Sequence, residues 1–267
     1  YGFINNYNYE WKQKDYFDYS KTFSNYFPKH KAKKLNEIDY SLNKRIKIGF
    51  VSCDFTSNHS VTYFTKDIIK NLDKNIFETY SFSLIEDKFL KSSSLELKEN
   101  FDNWHDISKL KNEDIIKFIQ NKKIEILVDV MGLTKAPRIE IFNTRIAPIQ
   151  ISWLAFCNTV GFSTIDYLIA DKNLIYENEE KLYKEKIIKL PDIWNCHSGF
   201  KLDRKLPNLP FKKNKYITFG SFNNFLKLSD NAVRVWSNIL QSIANSKLIL
   251  KSYNSYNTET VLDKFKK

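Results

Sequence analysis

The stretch KRIKIGFVSCDFTSNHS, residues 44–60, decides the fold. Ile46, Ile48, Phe50 and Val51 make a short apolar run that ends in small and acidic residues, Ser52, Cys53 and Asp54. A run of that length, apolar on successive positions, reads as a strand buried on both faces. The spacing then changes. Val61, Phe64, Ile68, Ile69 and Leu72 recur at helical period, so a helix follows the strand directly. A buried strand feeding a helix is the opening move of a parallel α/β sheet.

The same alternation continues outward. Strands are predicted at FETYSFSLI (77–85), FDNWHDIS (101–108), IEILVDVMG (124–132), PIQISWLAF (148–156), DYLIAD (166–171) and KIIKLP (186–191), with a helix over Glu113 to Gln120. Together with the first, these are about seven strands between residues 45 and 191, enough for one complete doubly wound domain. Upstream, Trp11, Tyr16, Phe17, Tyr19, Phe23, Tyr26 and Phe27 recur at roughly helical spacing before a Lys-rich linker, so residues 1–44 read as a helical lead-in. Downstream, PNLPFKKNK (207–215) is a second linker. Beyond it come a strand, YITFGSF (216–222), a helix capped by Ser229 with Val233, Trp236, Leu240 and Ile243 on one face, and a strand, SKLILKS (246–252). Residues 45–206 thus form a complete Rossmann-like domain, and 207–267 the beginning of a second, cut off by the end of the sequence.

Composition bounds the rest. The chain has 267 residues, 42% hydrophobic and 27% charged, which excludes disorder or a fibrous repeat as a description of the whole. The longest apolar stretch, Ile146 to Phe156, is interrupted by Pro148, Gln150 and Ser152 and is too short for a membrane span, which needs roughly 20 apolar residues. No signal peptide is visible in the Asn- and Tyr-rich opening, and the first residue is Tyr rather than Met, so the chain reads as a segment of something longer. Cys53, Cys157 and Cys196 are far apart and odd in number; neither a disulfide framework nor a structural zinc site fits, and a cytoplasmic, reducing setting does. The charge is +11, from 42 Lys plus Arg against 31 Asp plus Glu, but only five of the 42 are Arg. That leaves a solvated basic surface, or attraction to polyanions and phosphate-bearing ligands, and argues against a specific nucleic-acid partner.

Three loops could carry chemistry. His59 stands at the carboxyl end of the first strand, at a helix start, where unpaired N–H groups attract anions. Its imidazole either holds a phosphate oxygen, moves a proton, or simply caps the helix. GSFNNFLKLS (220–229) occupies the same place on the second unit: Gly220 allows close approach, Asn223 and Asn224 offer amides and Lys227 an ammonium. It is either a diphosphate cradle or a solvated turn. In VDVMGLTKAPR (128–138), Asp129, Gly132 and Thr134 either line the cleft edge or form an ordinary strand end. His105 and His197 sit beside Trp or Cys and read as packed, while His30 lies in the linker. No His or carboxylate pair has metal-ligand spacing on a helix face, so no protein-bound metal is expected.

These segments, in this order, resemble the catalytic region of the O-linked N-acetylglucosamine transferase and SPINDLY-like glycosyltransferase family. The likeness runs from about Arg45 to Ser252 and rests on RIKIGFVSCDFTSNHS, VDVMGLTKAPRIEIFNTRIAPIQISWLAF, TVGFSTIDYLIAD and TFGSFNNFLKLS followed by VWSNIL. The opening NNYNYEW is similar to the stretch joining a tetratricopeptide array to that region. The resemblance implies a GT-B fold, two Rossmann-like domains facing a cleft, working without a bound metal or other cofactor. It implies transfer of N-acetylglucosamine from UDP-N-acetylglucosamine to Ser or Thr hydroxyls of an acceptor protein. GDP-fucose in the SPINDLY manner, or a non-catalytic interaction module retaining the fold, are the alternatives. It places His59 beside the donor as the proposed catalytic residue. It puts Lys227 on the donor diphosphate, and Asn224 where animal members carry Gln. Asn223, Thr134 and Gly132 complete the expected donor-side set. The sequence departs from the family at Ala155, Phe156, Cys157, Asn158 and Thr159, where Gly-Tyr-Pro-Gly-Thr is common. The segment by itself is expected to fold its first domain and to show no transfer.

Overall fold

The structure, a computed structural model, describes residues 7–8, 10–41, 44–134, 138–199, 205, 207–251 and 258–266, without the side chains of 258–260 and 264. Tyr1–Asn6, Tyr9, Arg204 and Ser252, used in the sequence reading, lie outside these residues. The chain divides into two compact units, one carrying Trp11–Phe200 and the other Lys201–Lys267.

In the first unit, α1 (Gln13–Phe23) precedes β1 (Ile46–Ser52), α2 (Ser60–Asn71), β2 (Phe77–Ser83), α3 (Ser93–Asn100), β3 (Asn103–Asp106), α4 (Asn112–Asn121) and β4 (Ile126–Asp129). Three further strands follow: β5 (Ile149–Ser152), β6 (Tyr167–Asp171) and β7 (Lys186–Leu190). They form one seven-stranded sheet, order β3-β2-β1-β4-β5-β6-β7, parallel at each pairing. All seven predicted strands are present. Their apolar runs pack both ways because successive side chains leave opposite faces of the sheet. Val51, Phe82 and Leu127 enter one core with Ile115, Ile116 and Ile119 of α4. Phe50 and Val128 enter the other, with Val61 and Ile69 of α2 and Leu97 of α3.

Helix α1 is more than a lead-in. Tyr16 and Phe23 are buried in the first of these cores, where Phe23 stacks on Phe162 at 6.0 Å. Helix α3 is absent from the sequence reading. Its buried residues are Ser93, Ser94 and Leu97, so it has no apolar stripe for periodicity to detect. It is held by position: Lys66, nearly buried on α2, donates to Glu96 at 2.9 Å. His105 is packed, as read, against Tyr80 and Phe82 with Phe118 edge-on at 5.0 Å.

The second unit contains α5 (Pro210–Asn214), β8 (Thr218–Ser221), α6 (Asp230–Ser242), β9 (Lys247–Leu250) and α7 (Thr258–Lys266). Strands β8 and β9 pair in parallel, and Ser229 caps α6 by accepting the Ala232 N–H at 3.2 Å. Among the described residues only Leu228 and Val233 are buried apolar side chains of this unit. Phe219, Trp236, Ile239, Leu240 and Leu248 line an open cavity of about 280 Å³.

Candidate functional site

Strand order reverses between β1 and β4. From β1 the sheet grows outward through β2 to β3, and from β4 through β5 and β6 to β7. The connections leaving these two neighbours diverge, and the gap beyond their carboxyl ends is where open α/β sheets take ligands. The loops after β1 and β4 carry the first-unit residues singled out in the sequence.

His59 directly precedes α2 in extended backbone, and its Nδ1 accepts the Val61 N–H at 3.3 Å. The neutral ring therefore keeps its proton on Nε2. That atom lies 3.7 Å from Oδ1 of Asp54, whose side chain is 9% exposed against 41% for His59. The imidazole thus caps a helix with one nitrogen and directs the other past a nearly buried carboxylate. Asp54 is fixed by its own backbone: its N–H donates to Ser52 Oγ at 3.0 Å, and its carbonyl accepts the Thr62 hydroxyl at 3.2 Å.

After β4 the chain turns tightly. Oδ1 of Asp129 accepts the N–H groups of both Met131 and Gly132 at 3.0 Å, and Oδ2 accepts that of Gly132 at 3.1 Å. The hydroxyl of Thr134 donates to the Met131 carbonyl at 2.6 Å, so it serves the turn itself. Gly132 has φ +52, and a β-carbon there would stand 2.1 Å from Cβ of Phe156. The loop after β4 therefore rests directly on the loop after β5. That second loop is where the sequence departs from the family pattern.

Glu185 anchors it from below. One carboxylate oxygen accepts the Val160 N–H at 2.9 Å, and Oε2 is buried without a partner. Thr159 turns the chain by accepting the Gly161 N–H at 3.2 Å, and Gln13 of α1 donates to Asn158 at 2.6 Å. Burial raises Glu185 above the ordinary carboxylate range. Burial also pushes Asp129 up to about 7; the Gly132 and Met131 N–H groups pull the other way, while the Glu185 and Asp54 carboxylates add to the rise. Desolvation pushes the half-buried Cys53 thiol up to about 12, with the Asp54 carboxylate adding to the rise, which disfavours the thiolate.

In the second unit Asn223, Asn224 and Lys227 line one small cavity of about 90 Å³ together with Ser221, Trp236 and Leu250. Asn224 Oδ1 accepts the Leu226 N–H at 3.0 Å and Asn223 Oδ1 accepts that of Asn224 at 2.9 Å. Those contacts fix both carboxamides with their NH₂ groups unspent on them. Lys227 is exposed, two residues before the cap of α6.

The structure thus brings His59 together with Asp54, and gathers Asn223, Asn224 and Lys227 around one cavity. Asp54 had a signal in the sequence, a carboxylate at a strand end five residues before a histidine. Glu185 had none. It sits among charged neighbours in EKLYKEK, and only the fold buries it. Among the described residues no three His, Cys, Asp or Glu side chains are grouped to hold a metal. No helix among them is long and apolar enough to cross a membrane.

A doubly wound parallel sheet is followed in this chain by the strand-helix-strand of a second unit, and a structural match places that arrangement in the GT-B class. A mutant of the Thermobaculum terrenum O-GlcNAc transferase has this fold: the TM-score is 0.85 at 22% identity, covering 98% of this chain and 50% of that one. The sequence model of glycosyl transferase family 41 matches residues 27–206, and the chain belongs to that family. It is 30% identical over 216 residues to the Arabidopsis thaliana protein named probable UDP-N-acetylglucosamine–peptide N-acetylglucosaminyltransferase SPINDLY, covering 77% of this chain and 23% of that protein. It is equally 30% identical over 215 residues to the Arabidopsis thaliana protein of the same description named SEC, covering 78% and 22%. The chain therefore spans about a quarter of the length of these relatives.

Proposed function

We propose that this chain contributes the first catalytic domain and part of the donor-binding region of a protein O-GlcNAc transferase. The enzyme would move N-acetylglucosamine from UDP-N-acetylglucosamine to Ser or Thr hydroxyls of proteins. Membership of family 41 and the relatives' names support the reaction class. The observation that carries the assignment to residues is the placement of His59, with Asp54 behind it, at the reversal between β1 and β4. In this reading His59 orients the donor through its Nε2–H. Lys227 and the Asn223 and Asn224 amides meet the diphosphate whose charge grows as the sugar leaves. The reading needs no protein-bound metal, because the lysine supplies the positive charge.

The direct test is transfer by the full-length protein, with UDP-N-acetylglucosamine and GDP-fucose offered separately to a mixture of acceptor proteins. Transfer from the first supports the proposal. Transfer from GDP-fucose alone replaces the donor but keeps the class. No transfer from either leaves a fold retained for interaction and overturns the reading.

Two variants test the roles. In Lys227→Ala, affinity for UDP should fall by about tenfold to a hundredfold, the loss of one charge-assisted contact of about 1.5–3 kcal/mol. Calorimetry reads it, and unchanged affinity removes Lys227 from the site. In His59→Ala, turnover should fall about a hundredfold. Stability should fall by no more than about 1 kcal/mol, since the ring contributes one cap contact and no large apolar burial. A large drop in melting temperature with unchanged turnover would make the cap its whole role.

A further inference from the structure

The first unit carries a second concavity, on the sheet edge away from the crevice. It is built by residues 27–34 crossing in front of α4. The backbone of this strap is pinned along its length. Asn143 Nδ2 donates to the Phe27 carbonyl at 3.0 Å, and the His30 N–H donates to Thr144 Oγ1 at 2.9 Å. Gln120, 3% exposed near the end of α4, holds Lys33 from both sides at 2.9 Å, accepting its N–H and donating to its carbonyl.

The pinning sets a period of two. His30 and Ala32 turn inward, with Ala32 packed on the core, while Lys29, Lys31 and Lys33 are exposed. Phe27 and Lys34, at the two ends, have extended backbone. In extended chain, alternate side chains stand about 6.7 Å apart on one side. Lys31 and Lys33 share a cavity of about 510 Å³ with Lys117 and Asn121 of α4. Among the described residues none of Lys29, Lys31 and Lys33 has a carboxylate within ion-pair reach. Lys117 stands 3.9 Å from Asp114. Glu37 is the one carboxylate in the lining, and one of its oxygens accepts the Lys34 N–H at 3.2 Å.

The cavity is remote from the crevice. Helix α4 leads into the amino end of β4, so Gln120 and Asn121 lie at the opposite edge of the sheet from the loops carrying His59 and Gly132.

We propose that this lysine rail docks an acidic polypeptide segment in extended conformation. An extended peptide presents alternate side chains at the pitch the rail offers, so carboxylates at every second residue meet successive ammonium groups. The pinned backbone lowers the ordering cost of binding. Asn121 stands beside the rail with an amide able to read a peptide backbone. Nucleic acid is the poorer fit: the lining holds no arginine fork and no aromatic ring on which a base could stack. Such a site would give a protein partner a foothold away from the crevice, and charges at a rim of this kind set association rate and partner choice. The inference does not rest on sugar transfer, since binding is measured with no donor present.

The test is fluorescence anisotropy of the chain with a labelled peptide alternating glutamate and alanine. Saturable binding is expected, weakening as salt is raised. Lys31→Glu combined with Lys33→Glu should weaken it about tenfold, and Lys117→Glu by less. Lys186→Glu, on the exposed edge strand β7, should leave it unchanged. A peptide alternating glutamine and alanine should not bind. Circular dichroism checks that these exposed substitutions leave the fold intact. The proposal is overturned by absence of saturable binding at millimolar protein. It is equally overturned by the same weakening from Lys186→Glu, or by a single-stranded oligothymidylate binding as tightly as the acidic peptide.

Discussion

Gly132→Ala should lower the stability of the first unit by about 3 kcal/mol or more, combining left-handed backbone strain with overpacking. The backbone at Gly132 has φ +52, a region where a β-carbon meets the following carbonyl. The added methyl would also stand 2.1 Å from Cβ of Phe156, far inside contact distance. Phe156 has little room to yield. It is 5% exposed, belongs to the core under α1, and lies 6.1 Å ring to ring from Tyr16. The loop after β4 or the loop after β5 would have to move, and the first of these holds its shape through Asp129. Urea denaturation of the purified chain measures the loss. A change below about 1 kcal/mol would mean that the two loops are not in contact as described.

The second large effect is a pH dependence located at Asp129. Its carboxyl is held up to about 7 by complete burial, with Glu185 and Asp54 adding to the rise. Between about pH 4 and 7 the folded state therefore holds a proton that the unfolded chain releases. Stability is greatest at the acid end of that window and falls as pH rises through it. The whole loss from this one group is about 4 kcal/mol at most. Asp129→Asn keeps an oxygen for the Met131 and Gly132 N–H groups and removes the charge. Its stability should accordingly fall much less than the parent's between about pH 5 and 8. Glu185, raised by burial in the same direction, should leave a residual slope that Glu185→Gln removes in turn. Denaturation at the two pH values decides it. A slope unchanged in Asp129→Asn would show that the proton is held elsewhere.

These two expectations share one cause. The loops that shape the crevice at the sheet reversal are anchored by buried apolar side chains such as Met131, Phe156 and Val160, and their backbone turns are held by buried carboxylates. Asp129 staples the turn after β4, and Glu185 holds the backbone after β5. Two buried carboxyls that share little countercharge resist joint ionisation. The polar groups that shape the crevice are therefore also those that make its stability depend on pH.

How much of this was legible depends on the length scale of the signal. All seven strands of the sheet were readable because a strand covered on both faces writes itself as a local apolar run, IKIGFVS and IEILVDV most plainly. The Ser229 cap and the helix after it were readable for the same reason, since caps and periodicity lie within a few residues. Helix α3 was not, because Ser93, Ser94 and Leu97 are buried by their place against α2 and not by an apolar stripe. The role of His59 as a cap was one of the readings its position allowed. Its second nitrogen facing Asp54 needed coordinates.

The sequence by itself determined the class of sheet, the order of its elements and the loops on which the chemistry stands, because these follow from hydrophobic period and turn chemistry along neighbouring residues. Only the tertiary structure decided which carboxylates matter. Glu185 reads as one more charge in a lysine-rich stretch, yet pairing β6 with β7 draws it under the 158–161 turn and strips its water. The Asp129 carboxyl is pushed up to about 7 because its strand lies in the middle of seven and burial strips its water. Desolvation is a property of what surrounds a group in space. Those surroundings come from segments scattered along the chain, so no local pattern records them.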